Sequence, residues 1–156
     1  MVQKILAVDD EPDLLLLLER IIREKTPYQI SVTNNSLEVP GILGQCEFDI
    51  IITDLKMPGM DGLDILKYVK DNKRFEQVII ITAFGSLETA MEALSQGVFD
   101  YITKPFKKEQ IIFTLDRAMR FQTNAREAKQ IAEIFIKPLD EALESFKSEY
   151  IRRKSL

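Results

Sequence analysis

Asp9-Asp10, Asp54, Thr82 and Lys104-Pro105 follow one another along the chain, each directly after a short apolar run of strand length. Three acids, one hydroxyl and one lysine are a compact set of groups for handling a phosphoryl group. Apposed carboxylates repel, and such clusters either raise a pKa or recruit a cation. A hard divalent ion with oxygen ligands answers that repulsion, and Mg²⁺ typically takes one or two carboxylates together with waters and a phosphate oxygen. The Lys104 ammonium suits a phosphoryl oxygen, and the Thr82 hydroxyl can donate to one. Charge developing on a transferring phosphoryl group around Asp54 would then be stabilised from three sides.

These residues act together only if the fold gathers them. Apolar runs rich in β-branched residues predict strands over Lys4–Val8, Gln29–Thr33, Phe48–Thr53, Gln77–Ile81 and Val98–Ile102. Amphipathic segments alternate with them. The first runs from Pro12 to about Lys25, and the second is capped by Ser36 with Pro40 in its first turn. The third follows the turn Met57–Gly62 and ends near Asn72. The fourth lies between a Ser86 cap and Gly97, and the fifth starts near Lys107. Five successive βα units imply a parallel sheet with helices on both faces. Five strands suit the doubly wound, flavodoxin-like order 2-1-3-4-5, whose binding crevice lies outside the carboxyl ends of the strands. In that order the first and third strands are neighbours, so Asp9 and Asp10 meet Asp54. The run Leu14–Leu18 is read as a helix buried on several sides. Leu87, Ala90, Met91 and Leu94 share a stripe, and the large ones are assigned to the core.

Composition sets the limits. The 156 residues, 46% of them apolar, suffice for one domain with a helical extension. The net charge of −4 argues against a nucleic-acid surface. There is no histidine, which removes His-based metal sites, Ser-His triads and a histidine phosphodonor. The single cysteine, Cys46, is expected to be a small buried hydrophobe. No secretory or membrane-spanning segment is read in the sequence, and a cytoplasmic location is expected.

Val8-Asp9-Asp10-Glu11-Pro12, Asp54-Leu55-Lys56-Met57-Pro58-Gly59-Met60-Asp61-Gly62, Thr82-Ala83 and Asp100-Tyr101-Ile102-Thr103-Lys104-Pro105-Phe106 closely resemble the receiver domain of two-component response regulators. The resemblance covers about residues 3–121. It implies that Asp54 is the phosphoacceptor, taking its phosphoryl group from a sensor histidine kinase or phosphotransfer protein. It implies Mg²⁺ held directly by Asp10, Asp54 and the backbone carbonyl of Lys56, with Asp9 acting largely through water. Thr82 and Lys104 would bind phosphoryl oxygens, Thr82 and Tyr101 would form the conformational switch, and the Lys104-Pro105 bond would be cis. In the family, the positions of Lys56 and Phe84 modulate water access to the acyl phosphate. A long lysine and a bulky ring there imply slow loss of the phosphoryl group. On this reading the domain is not an enzyme on separate substrates, although it catalyses its own phosphotransfer and dephosphorylation.

Two other readings stand beside this one. An aspartate-nucleophile phosphohydrolase would carry a second acid two residues after the nucleophile, where this chain has Lys56. A phosphorylation-independent module of receiver shape would have lost an acid or the lysine, and neither is lost.

The expected division is 1–121 for the receiver and 122–156 for a helical extension or linker. Ala118, Phe121, Ala125, Ala128, Ala132, Phe135, Leu139, Ala142 and Phe146 keep a strict three-four spacing, the pattern of a helix seam. Pro138 is expected to kink or break it, giving two helices. The seam suits either a helix folded back on its own domain or one packed between subunits. A homodimer could use these helices or the face of the fourth helix, fifth strand and fifth helix. Residues 122–156 carry seven basic and six acidic side chains, so Arg152-Arg153-Lys154 is read as a polar end and not as a nucleic-acid patch.

Overall fold

The computed structural model describes residues 2–155. Met1 and Leu156, the outer limits of the two expected segments, lie outside the described residues. The strands are β1 (Lys4–Val8), β2 (Gln29–Thr33), β3 (Ile50–Thr53), β4 (Gln77–Thr82) and β5 (Asp100–Thr103). They pair in parallel in the order β2-β1-β3-β4-β5. Every residue of β3 is buried, as its unbroken β-branched run requires of a strand covered on both faces. Polar residues alternate through β2, which is an edge strand.

The helices are α1 (Pro12–Lys25), α2 (Val39–Gln45), α3 (Gly62–Asp71), α4 (Leu87–Gln96) and α5 (Lys108–Ile131). Each sheet face carries its own core. Ile5, Ile50 and Ile79 pack with Leu18 and Ile22 of α1 and Ile111 and Leu115 of α5. Leu6, Ile51 and Ile80 pack with Leu43 of α2 and Ile65 and Val69 of α3. Alternation along the strands therefore sends neighbouring residues to opposite helical layers. The helix ends follow local chemistry. Ser86 and Thr89 form a capping box, and Gly97 closes α4 with φ +98°. Ser36 does not cap the second helix. It lies in a 3-10 turn, Ser36–Glu38, whose cap is Asn35, and Pro40 falls in the first turn of α2.

Three burial expectations are corrected. Leu15 and Leu18 are buried, but Leu16 and Leu17 are exposed. Consecutive residues are about 100° apart on a helix, so a leucine run cannot all face inward. Leu87, Met91 and Leu94 are exposed as well. α4 turns an adjacent face inward, with Ala93 buried and Thr89 and Ala90 half-buried, because small side chains let it lie close to the sheet. Cys46 is exposed, being the residue that caps the end of α2.

The chain divides into two compact units, Met1–Arg120 and Phe121–Leu156. In the second, α5 passes into a π turn (Ala132–Ile136) and then α6 (Lys137–Lys154). Lys137 N–H reaches back five residues to Ala132 O. The wider turn ends two residues before Pro138, whose ring would otherwise press on the carbonyl four residues back. Pro138 thus re-phases the helical path instead of ending it. Among the described residues no helix is long and apolar enough to cross a membrane.

Candidate phosphoacceptor site

Strand register builds the site. Val8 lies beside both Thr33 and Thr53, and Thr82 beside Thr103, so the strands end at a common level. The ladder then continues one step past them. Asp54 N–H donates to Val8 O at 3.2 Å, and Lys104 N–H donates to Thr82 O at 2.9 Å. Asp9, Asp54, Thr82 and Lys104 are thereby brought to one rim. The Lys104-Pro105 peptide is cis, as expected.

Lys104 Nζ bridges the aspartates, 3.2 Å from Asp9 Oδ2 and 3.3 Å from Asp54 Oδ2, with Glu11 Oε1 at 3.7 Å. The other oxygens are also held. Asp9 Oδ1 accepts from Glu11 N–H at 2.8 Å, and Asp54 Oδ1 accepts from Leu55 N–H at 2.7 Å. Both aspartates are buried. Burial lifts the Asp9 carboxyl above the usual aspartate value and Asp54's charge adds to this, while the Glu11 amide and Lys104 oppose it. Burial alone would lower the Lys104 ammonium, but the charges of Asp9 and Asp54, the hydrogen bond to Asp9 and the charge of Glu11 outweigh it. Lys104 is held above the ordinary lysine value and stays protonated.

Thr82 is fully buried, and its Oγ1 accepts from Phe84 N–H at 3.1 Å. The hydroxyl proton is left to donate elsewhere. Tyr101 is half-buried against the core, with its hydroxyl 3.2 Å from Thr89 Oγ1 of α4. Lys56 and Phe84 are exposed.

Among the described residues, the carboxylates of Asp9, Glu11 and Asp54 lie within 4.8 Å of one another. Asp10 is exposed and stands outside this group. The expected trio thus differs by one member. Glu11 takes part through its side chain and its amide, and its signal was a third acid adjoining the Asp-Asp pair. Two further residues were not anticipated. Gly62 packs against the Asp54 backbone, where an added Cβ would lie 2.5 Å from Asp54 O. Thr89 is the hydroxyl partner of Tyr101. A cavity of about 500 Å³ lined by Lys4, Tyr28, Gln29 and Phe48 sits at the amino ends of the strands, away from this chemistry.

The donor set fits a divalent ion. Three carboxylates against one ammonium leave an excess of negative charge, and every free donor is a hard oxygen.

The sequence profile of the response regulator receiver domain matches residues 5–116. The response regulator protein PilR of Pseudomonas aeruginosa is 41% identical over 103 residues, covering 66% of this chain and 23% of that protein. The DNA-binding transcriptional regulator NtrC of Salmonella typhimurium is 33% identical over 124 residues, covering 80% and 26%. The chain therefore spans about a quarter of the length of these curated relatives. A crystal structure of a response regulator receiver domain protein from Clostridium thermocellum superposes with a TM-score of 0.73 at 28% identity, covering 80% of this chain and 99% of that one. NtrX from Brucella abortus superposes with a TM-score of 0.75 at 26% identity, covering 85% and 29%.

Proposed function

Because this chain belongs to the response regulator receiver family, whose members are signalling domains of two-component systems, we propose that Asp54 is its phosphoacceptor. The observation that carries the reading is the Lys104 bridge, one ammonium within 3.3 Å of Asp9 and Asp54 at the rim of a parallel sheet. The donor is the phosphohistidine of a sensor kinase or phosphotransfer protein. An Asp54 carboxylate oxygen attacks phosphorus, an O–P bond forms, and the N–P bond breaks with its electron pair leaving on the imidazole. The domain supplies the catalysis for this transfer and for later hydrolysis.

Lys104 can follow the charge from the Asp54 carboxylate to a phosphoryl oxygen. Thr82 donates its free hydroxyl proton to another, since Phe84 N–H already occupies an acceptor position on its oxygen. Movement of Thr82 toward the phosphoryl group is the event that Tyr101 reads, through the space beside Thr89. Mg²⁺ would be held by Asp9, Asp10, Asp54 and the Lys56 carbonyl, with the Glu11 carboxylate at the same rim. When bound, the ion would neutralise charge on the phosphoryl oxygens. Receiver activity of this kind belongs in the cytoplasm, on the side of the kinase's catalytic machinery. The receiver is assigned to residues 1–121 and the extension to 122–156. Output through any further segment is outside the proposal.

Incubation with acetyl phosphate and Mg²⁺ tests the reading: a mass gain of one phosphoryl group is expected, and none without the ion. Mg²⁺ titration of Asp10→Ala and Glu11→Ala then separates the two acids. The larger loss of affinity is expected for Asp10, and the reverse result would give its place to Glu11.

Phosphoryl lifetime makes a separate prediction. Lys56 lies two residues after Asp54 and Phe84 two after Thr82, and Phe84 is 66% exposed, leaving its ring free to lie over an acyl phosphate. Lys56→Ala and Phe84→Ala are expected to shorten the lifetime severalfold by admitting water. Decay curves that superpose on the parent's would refute the shielding role.

A further inference from the structure

β2 and the turn after it supply none of the side chains gathered at the phosphoacceptor rim, yet they brace two of the segments that do. Asp9 N–H donates to Thr33 O at 3.3 Å. Thr33 Oγ1 donates to Glu38 Oε2 at 2.8 Å and accepts from Asn35 N–H at 3.2 Å, and Asn35 Oδ1 accepts from Leu37 N–H at 3.1 Å. These bonds fix the turn from which Ser36, itself buried, reaches the loop between β3 and α3. Ser36 Oγ donates to Pro58 O at 2.7 Å and accepts from Met60 N–H at 2.9 Å. One hydroxyl thus satisfies two backbone groups of the same loop. Gly59, between them, has φ +82°, and a Cβ there would lie 2.9 Å from both Ser36 Oγ and Leu37 Cγ. The loop backbone rests directly on the turn.

The loop's other restraints show what this hydroxyl adds. Its ends are held by the backbone, through Asp54 N–H to Val8 O at 3.2 Å and Gly62 N–H to Leu55 O at 3.0 Å. Met57 and Met60 pack against the core shared with α2 and α3. Apolar packing is non-directional and does not decide where a carbonyl points. Among the described residues, the hydrogen bonds from residues 56–60 to the rest of the chain are the two to Ser36 Oγ. We propose that Ser36 is a positioning residue for the Mg²⁺ site, holding the loop so that the Lys56 carbonyl keeps one direction. The proposal rests on the assignment of that carbonyl to the ion made above. A carboxylate can turn about its own side-chain bonds, but a carbonyl is fixed in the peptide plane and moves only with the backbone. Removing the hydroxyl therefore loosens one ligand while every ligating group remains in the chain.

Mn²⁺ takes the same oxygen donors as Mg²⁺ and serves as the probe. It is titrated into the full chain with no phosphodonor present, and the paramagnetic resonance signal of the free ion is followed. Ser36→Ala is expected to bind Mn²⁺ about tenfold more weakly than the parent, the lower end of the loss when a group that orients a metal ligand is removed. Its reaction with acetyl phosphate is expected to need correspondingly more Mg²⁺ and to reach the parent's rate at saturation, because no reacting group is touched. Thr26→Val is the matched control. Thr26 Oγ1 also donates to one carbonyl, Ile22 O at 2.7 Å, and accepts from one amide, Tyr28 N–H at 3.2 Å, but it precedes the amino end of β2. Its loss is expected to leave Mn²⁺ affinity at the parent's value. Equal affinity in Ser36→Ala and the parent would overturn the proposal. So would an equal loss in Thr26→Val, or a rate that saturating Mg²⁺ does not restore, and in these three outcomes the receiver reading stands. A parent that binds no Mn²⁺ would overturn the proposal together with the Mg²⁺ site on which it rests.

Discussion

An Asp54→Asn protein is expected to take up no phosphoryl group from acetyl phosphate in the presence of Mg²⁺. The amide is close to the carboxylate in shape, and its oxygen can still accept the Leu55 N–H now bonded to Asp54 Oδ1 at 2.7 Å. What it lacks is a nucleophilic oxygen carrying negative charge, so chemistry is lost while packing is kept. The neighbouring acids cannot substitute. Asp9 is committed to the Glu11 amide and Lys104, and its carboxyl is shifted by burial toward the protonated form. Glu11 lies at the exposed rim. Intact-mass measurement reads the result directly, and a cooperative melt close to the parent's shows that the fold has survived. Phosphoryl incorporation at the parent's rate would place the acceptor elsewhere and remove the basis of the assignment.

Gly62→Ala is expected to damage both stability and phosphorylation without touching a reactive group. The added Cβ would lie 2.5 Å from the Asp54 carbonyl oxygen and 3.3 Å from Asp54 C and Leu55 Cα. All three are backbone atoms, so no flexible side chain can give way. Overpacking of this kind costs about 1–3 kcal/mol, and a rigid neighbour puts it near the upper end. The relief available is to move the Asp54 segment or α3, and a shift of an ångström at a reacting group costs roughly a hundredfold in rate. Gly44→Ala in α2 is the control. Nothing lies within 4 Å of its Cβ position, so replacing glycine inside a helix there is expected to add about 0.5–1 kcal/mol. Denaturant melts and acetyl phosphate kinetics on the pair should move in opposite directions for stability. A Gly62→Ala protein as stable and as reactive as the parent would mean that the contact is not a constraint.

Much of this architecture was legible in the chain. Gln29–Thr33 and Lys4–Val8 have the predicted bounds because alternation and β-branching are local properties. The Ser86 cap and Gly97 stop held for the same reason, each closing hydrogen bonds within a few residues of itself. The sheet order followed from counting βα units, and with it the meeting of Asp9 and Asp54.

Coverage was not legible. Leu87, Met91 and Leu94 do share a stripe, but periodicity says which residues lie together, not whether another element lies over them. Side-chain direction was hidden in the same way. Asp9, Asp10 and Glu11 are adjacent acids of nearly equal chemistry, and the bend from β1 into α1 leaves Asp10 outside the carboxylate group. The extension shows the limit most clearly. Pro138 was visible as a disruption, yet a missing donor can be met by a break, a kink or a wider turn, and which one occurs depends on the hydrogen bonds around it. The sequence by itself determined the elements and their order, because those rest on short-range bonding and on connectivity. Only the tertiary structure decided which faces are covered, which acid turns inward and how the last helix is phased, because each depends on atoms distant in sequence or on backbone geometry that composition leaves open.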